Sequence, residues 1–251
     1  LAEYRVAGKP YSVSEYNHPA PNDYRAEALP ELATFAAFQD WDMIYLFDYG
    51  DYGTGAPNDK INGYFGITSD PAKTAFLPAA ALIFRAGEIA PADDPLTLLL
   101  PTPTPQDSSI GAVWKAQGSP LFSQRMAVKT MAAAHAQAMT AVLGRMAPSS
   151  IRLVKSPSGG MYMANSADAQ SVTGYVGGQT VTLGQNTLTF PAFGNNFAAA
   201  TLTAMDQKPL AQSRHLLLTL VGKVENQDMG WNAGRTSVGD KWGHGPTVAE
   251  G

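Results

Sequence analysis

The sequence predicts a mixed fold, an α/β part followed by an all-β part, and three observations carry that reading. Tyr11-Ser12-Val13-Ser14 and Met43-Ile44-Tyr45-Leu46-Phe47 read as short strands with a helical pattern between them. Both end in acids and aromatics, Glu15-Tyr16 and Asp48-Tyr49, which describes a parallel βαβ unit with its polar residues at the carboxyl ends. After Pro148, short apolar runs alternate with Gly-bearing turns, the pattern of a β-sandwich. Between these parts the text turns Pro-rich, with Pro-Thr-Pro-Thr-Pro at 101–105, as a linker does. Three segments follow: residues 1–88 as the α/β part, 89–118 as a Pro-rich linker with an edge strand, and 119–251 as a helix plus a β-sandwich.

In order along the chain, residues 22–39 carry the first helix. Asn22 or Asp23 can cap it, because either side chain accepts a bond from the free amides of a first turn. Pro30 predicts a kink, or a second short helix that starts there. Leu32, Phe35, Ala36 and Phe38 form its buried face. Residues 49–69, rich in Gly and Asp, make a loop longer than a connection needs, and such loops are usually functional. Asp70-Pro71 is a capped helix start and Gly87 a helix stop. The apolar set Phe76, Leu77, Ala80, Ile83 and Phe84 is expected to pack on strand 43–47. Leu96–Leu100 reads as an edge strand between prolines, and 119–143, rich in Ala and Met, as a helix ended by Gly144. Strands are then expected at 151–154, 161–164, 171–176, 180–183, 187–190, 198–202 and 215–221.

Composition excludes several classes of function. The 251 residues are 15% charged, with a net charge of −4 and no Arg-rich stripe, so nucleic acid is not expected as a partner. Cysteine is absent, which removes disulfides, thiol chemistry and Cys-ligated metals. No apolar run approaches the ~20 residues of a membrane span. The chain opens Leu-Ala-Glu, with neither an initiator Met nor a signal peptide, as a processed protein or a piece of a longer one would. Low charge with many small polar residues leans towards a secreted or periplasmic protein.

Glu15 is the main candidate for chemistry. Read from spacing alone, it fits a catalytic acid and a surface residue capping the next helix equally well. Tyr16, Asn17, His18, Asp48, Tyr49 and Tyr52 are candidate substrate contacts, since aromatic faces stack on apolar ligand surfaces while Asn, His and Asp form hydrogen bonds. For each of them, packing or loop anchoring explains the residue as well. Trp41 precedes its strand and reads as core, and Glu27 as the partner of Arg25 or of a loop group. The histidines show no metal-ligand spacing, and the Asp/Asn/Gly run at 48–62 lacks the terminal Glu of a calcium loop, so neither metal nor cofactor is expected.

The string SEYNHPAPNDYRAEALPELATFAAFQDWDMIYLFDY resembles the last two strand–helix units of clan A glycoside hydrolases, the retaining (β/α)8 barrels, in particular bacterial members with a β-rich domain after the barrel. The resemblance covers about the first ninety residues. It implies that 1–88 is a partial barrel, that Glu15, at the end of the seventh strand, is the nucleophile, and that the substrate is a polysaccharide or oligosaccharide such as plant cell-wall glycan. The clan's acid/base, an Asn-Glu pair ending the fourth strand, has no counterpart in this sequence. A retaining enzyme needs two carboxyls about 5–5.5 Å apart, so the partner acid has to come from elsewhere. Two strand–helix units also leave an open strand edge, which predicts a homo-oligomer or a missing N-terminal barrel portion. The rival reading is a non-catalytic carbohydrate-binding or structural fragment of a larger glycosidase.

Overall fold

A computed structural model describes residues 2–50, 60–93, 95–102, 110–111, 120–132, 140–142, 150–156, 159–230, 243 and 247–249. In order these form β1 (Ser12–Tyr16), α1 (Ala28–Phe38), β2 (Met43–Leu46), α2 (Pro71–Thr74), α3 (Leu77–Arg85), β3 (Leu96–Thr102), β4 (Met126–Ala132), β5 (Thr140–Val142), β6 (Ile151–Ser156) and β7 (Gly159–Asn165). There follow β8 (Ala169–Tyr175), β9 (Thr180–Leu183), β10 (Asn186–Thr189), β11 (Phe197–Ala204), β12 (Leu216–Val221), β13 (Val224–Asn226) and β14 (Thr247–Ala249). The fold is a mixed α/β one in which strand outweighs helix. No helix of the described residues is long and apolar enough to cross a membrane.

β1 and β2 pair in parallel, as the βαβ pattern requires, and they form a two-stranded sheet; the described residues close no barrel. α1 is buried nearly all round. Leu32 and Ala36 pack towards Val13 and Trp41 on the β1–β2 side, while Ala33, Ala37 and Phe38 meet Ile151, Tyr162 and Ala164. A helix with no polar face has to sit between two layers, and α1 does. The kink expected at Pro30 is replaced by a 3-10 turn, Arg25–Glu27, that runs into α1 at Ala28. Pro30 is the helix's third residue, where its missing N–H leaves no intrahelical bond unmade. Asn22 accepts from the Tyr24 amide at 3.0 Å instead of capping α1.

The main sheet is antiparallel, in the order β12-β11-β8-β7-β6. Its register places Ala199, Thr201, Ser171 and Thr173 on the face of Ala169 and Tyr162, towards the helices. Small side chains there leave room for the Ala-rich helices. On the opposite face Met161, Met163, Val172 and Ala200 pack against Val181, Leu183 and Phe190 of the β9–β10 hairpin and the residue after it. Gly174 has a φ of +132°, and a Cβ on it would lie 2.3 Å from the Gly160 carbonyl, so β7 and β8 can approach only at a glycine. Among the described residues, this hairpin and not the second full sheet of a sandwich covers the outer face. Leu216, Leu218 and Leu220 of β12 therefore stay exposed.

Two expectations are corrected. The helix predicted over 119–143 is absent from its described residues. β4 and β5 flank β3 in a separate sheet, and Met126–Ala132 pairs residue for residue with Leu96–Thr102. Met126 and Val128 are buried with Leu96, Leu98 and Leu100, so tertiary pairing overrides a composition that suits a helix. For the same reason β3, read as an edge strand, is the central one. The segments 1–88 and 119–251 also share cores through α1, α3 and the main sheet.

Candidate functional site

The carboxyl ends of β1 and β2 lie side by side, with Tyr16 in register with Leu46. The register shifts between Val13 and Tyr16, so Ser14 and Glu15 are both exposed before Tyr16 turns back towards α1. Glu15 thus stands at a strand end, with its carboxylate open to solvent, and lines none of five hollows on the described surface. Beside it the side of the pair turned away from the helices is apolar: Met43, Tyr45 and Phe47 are exposed, and Phe47 meets the ring of Phe65 at 5.6 Å.

The other predicted site residues divide into two groups. The Asn17 amide is clasped between the backbone carbonyls of Phe47 and Phe65, which fastens the loop after β1 to the loop after β2. Asp48 is half-buried, its Oδ1 enclosed without a hydrogen-bond partner, and its backbone bonds Phe65 and Ile67. Tyr49 is 69% exposed. These lie with Glu15 at the strand ends. Tyr52 is outside the described residues.

Tyr16 and His18 belong to a second cluster behind the strands. The Tyr16 hydroxyl lies 3.0 Å from His18 Nε2, and His18 Nδ1 stands 3.3 Å from Glu27. Glu27 therefore answers to a loop residue and not to Arg25, which is buried against Asp70 at 2.7 Å. Glu31, one helical turn beyond Glu27, joins this cluster. Burial first, and the charge of Glu27 second, push its carboxyl up to about 8. Burial, with Glu31 and Glu27 adding to it, pushes the Tyr16 hydroxyl up to about 12. Sequence reading passed over Glu31, although its spacing of four from Glu27 puts two acids on one helix face. Trp41 is core as expected, its ring packed on Tyr11 and Phe35 at 5.3 and 5.7 Å.

Among the described residues no group of three or more metal-ligating side chains occurs. Set against protein-family models, curated protein sequences and solved structures, the chain matches none.

Proposed function

We propose that this chain is the nucleophile-bearing part of a retaining glycoside hydrolase, with Glu15 attacking the anomeric carbon of a polysaccharide or oligosaccharide. The reading rests on one observation: an acid at the carboxyl end of β1, paired in parallel with β2, beside exposed rings on which a pyranose can stack. Asn17 holds the two strand-end loops together, Tyr45, Phe47 and Tyr49 offer sugar-stacking faces, and Asp48 is a structural neighbour. The acid/base carboxyl comes from outside the described residues, from further parallel strands added at the open edge of β1 or from a second copy. Residues 1–88 then correspond to the closing units of a (β/α)8 barrel, and the sheet that follows to its β-rich domain.

Replacing Glu15 by Gln tests this. Hydrolysis of polysaccharide by the assembled protein should fall at least about a thousandfold, roughly 4 kcal/mol of barrier, while binding persists. The exposure of Glu15, away from every hollow named above, favours a second reading in which the chain binds glycan without cleaving it. Binding with no turnover in either form would select that reading.

A further inference from the structure

A cleft runs along α1 between the β1–β2 pair and the five-stranded sheet. It consists of two hollows whose walls share Glu31, Leu153 and Tyr162. One, of about 280 Å³, is also walled by Tyr16, Phe35 and Trp41. The other, of about 450 Å³, passes Glu27 and Tyr175.

Two of the three tyrosines that line the cleft, Tyr162 and Tyr175, have their hydroxyl protons committed within the protein. Thr34 Oγ1 donates to the Pro30 carbonyl at 2.7 Å, so in its 2.9 Å contact with Tyr162 the tyrosine is the donor. Tyr175 donates to Tyr24 at 3.0 Å, and Tyr16 is engaged with His18. Besides the Thr173 hydroxyl, which has no hydrogen-bond partner, what lines the cleft is mainly lone pairs, ring faces and carboxyl oxygens. Glu31 makes no ion pair with any described residue, and Glu27 has only His18. A cation in such a place meets electron-rich partners on several sides.

We propose that this cleft binds a small organic cation, an alkylammonium or quaternary ammonium group resting on the rings of Tyr16, Phe35 and Tyr162 with Glu31 as its counter-ion. The ionisable groups around Glu31 are Glu27 from the segment before α1, itself beside His18, Tyr16 from β1 and Tyr162 from β7, none of them a fixed positive charge. With its carboxyl held up to about 8, Glu31 is protonated at neutral pH when the cleft is empty. A bound cation favours the carboxylate, so binding releases a proton and tightens as pH rises towards 8. The site is independent of Glu15 and of the glycosidase reading.

The experiment is a calorimetric titration of the full chain with choline chloride, in two buffers of different ionisation enthalpy. Potassium chloride and the uncharged isostere 3,3-dimethyl-1-butanol serve as controls. The expected result is saturable choline binding with proton release near neutral pH, no binding of either control, and at least tenfold weaker binding by E31Q. Phe35→Leu keeps the apolar volume but removes a ring face and should weaken binding about two- to fivefold. Equal binding of the uncharged isostere, or E31Q and Phe35→Leu proteins that retain their circular dichroism and bind choline like the parent, would overturn the proposal. So would the absence of any choline binding by the parent protein.

Discussion

Glu31 and Glu88 are two carboxyls placed where water is scarce, and both carry a cost that depends on pH. Glu88 follows the glycine that stops α3; burial, and after it the charge of Asp168, push its carboxyl up to about 7. A group whose folded-state value lies above its unfolded one binds more protons when folded, so stability falls as pH rises between the two values. For Glu88 that window runs from about 4.5 to about 7, and for Glu31 from about 4.5 to about 8. Thermal melts should accordingly give a higher midpoint near the lower end of these windows than at pH 8. E88Q should flatten the decline below pH 7 and leave the part due to Glu31. A midpoint that rises steadily from pH 5 to pH 8 in the parent protein would contradict this. Neither acid stands out in the sequence, because the groups that enclose or charge its surroundings lie far along the chain, Tyr162 in the wall beside Glu31 and the charge of Asp168 near Glu88.

At the scale of elements, one buried ionic knot ties the α/β part to the end of the chain. Asp70 caps α2 by accepting from the Ala72 amide at 3.1 Å, and it also takes Arg25 Nε at 2.7 Å and Lys73 Nζ at 3.6 Å. Arg25 in turn donates to the carbonyls of Asn22 and of Val224 in β13. All three charged side chains are almost wholly enclosed. Asp70→Asn keeps the shape and the cap but leaves two buried cations short of their anion, so it should lower unfolding stability by about 3–5 kcal/mol; chemical denaturation measures this, and a loss below about 1 kcal/mol would show the pair to be idle. The Asp-Pro cap of α2 was legible in the sequence, and so were strands β6 to β12, because alternation and glycine turns are local signals. The Ala/Met-rich stretch that begins β4 was not: its strand exists because Leu96–Thr102 lies beside it, and no local pattern records a neighbour so distant in sequence.

At the scale of the whole molecule, most of the described residues outside the β4-β3-β5 sheet form a layered stack: the β1–β2 pair, the helices α1 and α3, the five-stranded sheet and the covering hairpin. α1 and the centre of the five-stranded sheet are buried on both sides, while Leu216, Leu218 and Leu220 on β12 are exposed. The β1–β2 layer is not buried on both sides, since Met43, Tyr45 and Phe47 are exposed and no further described strand pairs with it. Parallel strands are stable when both faces are covered, and the proposed function has further strands of the same sheet close over this face. The position of Glu15 at a strand end could be read from the sequence; whether a hollow adjoined it could not, because a hollow is built by everything around an acid. The central claim is that Glu15 is a glycosidic nucleophile once that sheet is extended. Incubation of the assembled protein with 2-deoxy-2-fluoro glycosides, followed by peptide mass mapping, tests it most directly. A fluoroglycosyl ester on Glu15, absent from the E15Q protein, is the predicted result, and a protein that hydrolyses glycan while the label forms on another residue would contradict it.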